Sequence, residues 1–428
     1  MPKTKQALET PRIFNLRDRS DANVAAMSAF YKEHGYLCSP LLPAKECQHN
    51  VCELWDKVIL RQPLLDKYRI KVRGPDGIEL DPKHKEHRNE FFKAVASPLS
   101  PATRKAFTEG WPLHLQFGAC ADDEVWHLEG TWRVRQDPDL YAFASSVIGT
   151  PDLFVSIDRA IKKLPQQGNN QLAHWDTNVF YPGEHEEQAT AKLASIHGKV
   201  CYTPSRVLIA PGTHTKAFQR QVNETYKPLY PHVKKEDKLV QLDKNKPDPM
   251  GLLGKLQQYR VPAGHVVFWH KDLLHGQKKT PADECPEYGA YISYRPAKPR
   301  KEYKEVCGVD EMEDRFESFL KGKAPKLYPS LKEVHLYPKR FNITPQLMNN
   351  RIKKMPEDHP MIQERTQKNG VVVKTLVRVP SHDYTPPKLS SLGKRLLGWR
   401  EDAVAEEHEP MHAASGDAGL SKRMRGTD

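Results

Sequence analysis

From about residue 152, short runs rich in Val, Ile, Phe and Tyr recur between turn signals: LFVSIDRA, QLAHWDTNVFY, KVCY, RVLIAPG, QYRVPAGHVVFWH and YGAYISYR. Runs of this length, punctuated by Pro and Gly, suit strands that reverse at tight turns. They predict an all-β sandwich or barrel core over 151–297. Upstream the texture is helical. Residues 20–35, SDANVAAMSAFYKEHG, place Ala, Met and Phe at helical spacing and stop at Gly35. Pro43 opens a second helix reaching to about Arg61, and 138–149 reads as another. The chain is therefore expected to be α+β, with an N-terminal helical layer over 23–150 flanking a mainly β core.

Other segments read as appendages. Residues 1–22 precede the domain, 72–92 form a polar loop, and 222–250, rich in Lys, Asp and Pro, form an insertion or lid. An extension over 298–399 carries a capped helix near 309–322, and the Ala/Gly/Glu-rich tail 400–428 is expected to be disordered. The 66 Lys and Arg against 54 acidic residues, net +12, favour anionic partners such as phosphates, CoA thioesters or nucleic acid. No nucleic-acid recognition motif accompanies that charge. Seven scattered cysteines without a C-x-x-C indicate neither a disulfide framework nor a zinc ribbon. With no signal-peptide stretch and no long apolar run, the expectation is a reduced, intracellular, cytoplasmic protein without a membrane span.

Nineteen histidines make an H-x-[DE] pair cheap. Five occur: His84/Glu86, His127/Glu129, His174/Asp176, His185/Glu187 and His270/Asp272. Context separates them. In a strand, residues i and i+2 share a face, so His174 and Asp176 in QLAHWDTNVFY can bind one ion from an inner wall. The 84–86 and 185–187 pairs sit in charged stretches. A facial triad of two histidines and one carboxylate needs a third ligand from a later strand and leaves positions open for O2 and an organic substrate. His275, closing VPAGHVVFWHKDLLHG, is the best candidate, and His270 is its rival.

These stretches, taken in order, resemble the phytanoyl-CoA dioxygenase family of Fe(II)- and 2-oxoglutarate-dependent oxygenases. FYKEHGYLCSPLLPAKEC (30–47) is similar to its N-terminal helix, strand and second helix, and LAHWDTNVFY (172–181) to its H-x-D strand. VLIAPGTHTKAF (207–218) is similar to its P-G-S-H turn, and VPAGHVVFWHKDLLHG (261–276) to its H-G ending. The resemblance covers roughly residues 25–297. It implies a double-stranded β-helix (jelly-roll, cupin-like) core and a domain over 23–297. His174, Asp176 and His275 would bind Fe(II), with 2-oxoglutarate as co-substrate and O2 as oxidant. Asp176 stands where halogenating relatives lack a carboxylate, so hydroxylation of a small-molecule or acyl-type substrate is the implied outcome.

One position departs from the family. An arginine early in the last core strand usually pairs with the distal carboxylate of 2-oxoglutarate, a task suited to a planar guanidinium. Here Glu287 occupies that position in PEYGAYISYRP. Arg295 is the nearest replacement, although it lies roughly 26 Å further along an extended strand. Lys199 and Arg206 are the other candidates. Two alternatives follow from these features: a hydroxylase or demethylase acting on nucleic acid, suggested by the charge, and a non-catalytic β-helix binding module, suggested by Glu287.

Overall fold

The apolar runs pair antiparallel into two sheets in a computed structural model of the chain. It describes residues 9–60, 70–98, 119–120, 126–165, 173–181, 195–235, 237, 240–277, 280–281, 283–299, 304–305, 308–323, 325–326, 362–366, 370–376 and 384–399. The tail 400–428 and the His185/Glu187 pair lie outside these residues. In chain order the strands are β1 (Tyr36–Pro40), β2 (Ala119–Cys120), β3 (Leu153–Val155), β4 (Ala160–Lys163), β5 (His174–Trp175), β6 (Ile196–Cys201) and β7 (Ser205–Ile209). They continue as β8 (Val240–Gln241), β9 (Gln257–Val261), β10 (His265–His270), β11 (His275–Gly276), β12 (Glu287–Pro296), β13 (Ile362–Thr366) and β14 (Val372–Leu376).

The larger sheet runs β1-β10-β6-β12-β4-β2, with β3 also on β12, and the smaller runs β8-β5-β11-β7-β9. Register decides which side chains meet. On β6, His197 lies opposite Trp269 and Ser293, and Lys199 lies opposite Val267 and Tyr291. Directly paired residues share a face, so these six line one side of the large sheet. On β7, Ser205 reaches Lys199 of the facing sheet, while Leu208 turns the other way into a second core with Trp175, Phe180, Tyr226, Val240 and Leu274. Tyr36 of β1 and Tyr259 of β9 meet across the same gap, with hydroxyls 3.3 Å apart. The two sheets thus face each other across a partly polar space.

Helices cover the outside where capping signals place them. Ser20 accepts from the Asn23 backbone N–H to start Asp21–His34, and Gly35 ends it at φ 77°. A Cβ at Gly35 would lie 2.4 Å from the His214 ring, so both conformation and contact demand glycine there. The Gly35 carbonyl accepts from the His270 backbone N–H at 2.8 Å, which ties this helix end to the end of β10. The helix expected from Pro43 is Ala44–Leu54, continued by a π-helical turn Trp55–Ile59. Asp137 and Asp310 cap the helices Pro138–Ile148 and Glu311–Lys321. The far part of 222–250 joins the small sheet as β8, pairing Gln241 with His174.

Candidate metal centre

Strand β5 is only two residues long, and Asp176 lies just past it, where the chain bends. The carboxylate reaches the same side as His174 because the Asp176 backbone N–H donates to the Lys271 carbonyl at 3.2 Å. Strand β11 then places His275 directly across from His174. The P-G-T-H turn sets that strand. Thr213 Oγ1 donates to Ala210 O at 2.7 Å and accepts from the Leu274 N–H at 2.9 Å, which holds the residue before His275. Thr213 therefore acts through the backbone.

The three side chains converge, with one ligand atom from each lying within 4.8 Å of the others. His174 Nε2 is 3.4 Å from Asp176 Oδ1, and His275 Nε2 is 3.6 Å from Asp176 Oδ2. Ligands about 2.1 Å from a first-row metal lie about 3 Å apart when cis and about 4 Å apart when trans. The two histidine–carboxylate separations, one to each oxygen, lie between these values. His275 Nδ1 donates to the Leu273 carbonyl at 2.9 Å, so Nε2 is the nitrogen left with a lone pair facing inward. Burial, opposed by Asp176, pushes the His275 pKa down to about 4, and the ring is neutral at pH 7. Burial alone would raise the Asp176 carboxyl. The His275 imidazole and hydrogen bonds from His174 and His197 instead hold it well below the usual carboxylate range. Two imidazoles and an ionised carboxylate are a donor set that fits a divalent first-row cation.

His197 and Trp269 complete the surroundings of Asp176. His197 Nδ1 lies 2.7 Å from Oδ2, and Trp269 Nε1 donates to the same oxygen at 3.3 Å. His197 was not singled out from sequence. Its signal was the alternation in IHGKVC, which puts His197 and Lys199 on one face.

Lys199 continues that face into a second buried cluster. Its ammonium donates to Ser205 and to Glu287 Oε2, the latter at 3.0 Å. Lys163 reaches Glu287 Oε1 at 3.4 Å, and Thr280 donates to the same oxygen at 2.7 Å. Burial would raise the Glu287 carboxyl, but Lys199 and Lys163 with the Ser205 and Thr280 hydroxyls hold it at about 2. Glu287, the residue of wrong charge for a carboxylate clamp, is thus the shared partner of two lysines.

The remaining candidates lie elsewhere. Arg295 donates to Glu311 and to the carbonyls of Pro296 and Lys298, over the Phe154 ring, and so ties β12 to the helix Glu311–Lys321. Arg206 pairs with Glu284. Strand alternation sends His270 away from Trp269, into ring contact with His214 at 5.1 Å. His127 is buried against Ser318, Trp132 and the Lys323 carbonyl, and His84 and Glu86 sit on the surface. Trp175 packs in the second core. Among the described residues, the His174–Asp176–His275 group is the one cluster of three with metal-ligand spacing. No helix among them is long and apolar enough to cross a membrane.

No known family matches the sequence, and no curated protein does. Some solved structures are similar at low identity. The non-heme alpha ketoglutarate dependent epimerase SnoN from nogalamycin biosynthesis is 14% identical, over 64% of this chain and 84% of that one, with a TM-score of 0.37. A hypothetical protein from Escherichia coli is 13% identical over 91% and 85%, with a TM-score of 0.45. GlcNAc Inducible Gene 2 (DUF1479) from Candida albicans is 12% identical over 76% and 74%, with a TM-score of 0.42.

Proposed function

We propose that this chain is a non-haem Fe(II)- and 2-oxoglutarate-dependent oxygenase, of double-stranded β-helix type, that hydroxylates a small organic substrate. One observation carries the reading. The His275 lone pair, the ionised Asp176 and His174 converge on one point, an arrangement that a cation completes. Iron held there supplies O2 activation, with one oxygen atom going to the substrate and the other to succinate as 2-oxoglutarate loses CO2.

The protein's own groups bind and orient. His174, Asp176 and His275 would hold the metal, and co-substrate would bind to it beside them. For the distal carboxylate of 2-oxoglutarate we favour Lys199. An ammonium has three donors, and Ser205 and Glu287 take two of them. Lys199 is two residues from His197 on the same face, about 7 Å along the strand. A five-carbon diacid spans a comparable length. In this reading Glu287 positions Lys199, and the planar arginine fork is replaced by a point charge.

The test is succinate formation from 2-oxoglutarate by protein loaded with Fe(II) under air, with ascorbate and no added substrate. Uncoupled turnover in the wild type, lost in H174A and H275A but kept in H270A, is expected. A fully iron-loaded wild type that forms no succinate would overturn the oxygenase reading. It would favour a non-catalytic binding module, the reading that Glu287 motivates.

A further inference from the structure

We propose that His197 is a positioning residue of the metal centre: by holding Asp176 Oδ2 it fixes the orientation in which the carboxylate is offered to the metal, with Oδ1 turned to His174. This rests on the metal reading above. Oδ2 receives Nδ1 of His197 at 2.7 Å and Nε1 of Trp269 at 3.3 Å, two donors on one carboxylate oxygen. Oδ1 faces His174 Nε2 at 3.4 Å, and neither of those donors reaches it, whereas His275 Nε2 makes its nearest approach to Oδ2, at 3.6 Å. Facing an ionised carboxylate, His197 Nδ1 is the donor. Its other nitrogen lies 3.1 Å from Ser195 Oγ, whose hydroxyl can donate to it and so fix that tautomer. Ser195 and His197 come from β6 and the residue just before it, across the gap from the ligands, so the large sheet sets the carboxylate that follows β5 of the small sheet.

The same three residues, in this order, would also serve a nucleophile–base–acid triad. A triad's orienting carboxylate has no need of two further imidazoles and an indole converging on it, as they do on Asp176. The metal role is therefore favoured, and acylation chemistry at Ser195 becomes an outcome to be tested.

The experiment is a Co(II) titration of metal-free protein, followed by ligand-field absorption, for wild type, H197A, H197N, H197Q, S195A and H174A. An asparagine amide nitrogen sits where His Nδ1 does, and a glutamine amide nitrogen sits nearer the place of Nε2. H197A and H197Q should bind Co(II) about 10–100-fold more weakly, as expected for loss of a group orienting a ligand, and H197N should stay within about three-fold of wild type. S195A should fall between them. Metal-free H197A and H197N should melt together, which separates positioning from misfolding. Wild-type affinity in H197A, or H197N as weak as H197A, overturns the proposal. So does pulsed EPR of the Cu(II) form that shows three imidazole nitrogens in wild type and two in H197N, because His197 would then be a ligand. Covalent labelling of Ser195 by a fluorophosphonate would also overturn it, in favour of the triad. If H174A binds Co(II) as tightly as wild type, the metal reading itself falls and this proposal with it.

Discussion

At one end of the space between the sheets, His174, Asp176 and His275 keep side-chain exposures of 11–19%, whereas Lys163, Lys199 and Glu287 at the other keep 1–4%. The first group brings two imidazoles and a carboxylate together and, in the proposed function, would be completed by a cation from outside. The second brings opposite charges together and is largely completed by its own members. Both are polar and both are inside, yet only the second has to be dry. A buried charge without a partner costs several kcal/mol, so the lysines and Glu287 hold one another in place. The greater openness of the first group is what the proposed function requires, since co-substrate, O2 and substrate would all have to reach it.

The largest expected effect breaks the self-completed end. E287A leaves two buried ammonium groups without their shared carboxylate and should cost about 3–5 kcal/mol in denaturant unfolding. Metal-free H174A should cost far less. Equal stability of the two variants would erase the contrast. Acid sharpens it. Glu287 titrates at about 2 in the fold against an ordinary 4.5, so its stabilisation is complete above pH 4.5. It is lost as the pH falls from 4.5 through 2, so the stability gap between wild type and E287A should narrow over that window.

A smaller effect separates clamp from ligand. K199M should raise the 2-oxoglutarate concentration for half-maximal succinate formation at least about ten-fold, the worth of one hydrogen bond to a charged group. Its Co(II) affinity should stay at the wild-type value, and K199R should recover part of the loss. Unchanged 2-oxoglutarate dependence in K199M would remove Lys199 from the clamp. The smallest effect concerns Arg295. R295Q should lose about 1–2 kcal/mol from the tether to Glu311 and leave 2-oxoglutarate dependence within two-fold. A ten-fold change there would return the clamp to Arg295.

Much of the helical layer could be read from local signals. Ser20, Asp137 and Asp310 cap the expected helices, and Gly35 and Gly149 end two of them at positive φ. The candidate metal ligands were nearly as accessible, because His174 and Asp176 are two residues apart and His275 ends an apolar run. A shared strand face does not by itself bring these two together, since β5 stops at Trp175 and a hydrogen bond to Lys271 brings Asp176 round.

The other end of the site could not be read this way. Its members come from β4, β6, β7 and β12 and from Thr280, and none of these stretches contains a recognisable motif. The family pattern has an arginine on β12, whereas here Glu287 stands at that position as the partner of Lys199 and Lys163.

The amino-acid order by itself determined the apolar strand runs, several helix ends and the candidate metal ligands, because propensity, capping and ligand spacing act over a few neighbouring positions. Only the tertiary structure decided that His197 holds Asp176, that Lys199 rather than Arg295 faces the interior beside it, and that Glu287 is their counterpart. Those choices depend on the register of strands far apart in sequence. A shift of one residue in that register would turn each of these side chains to the opposite face.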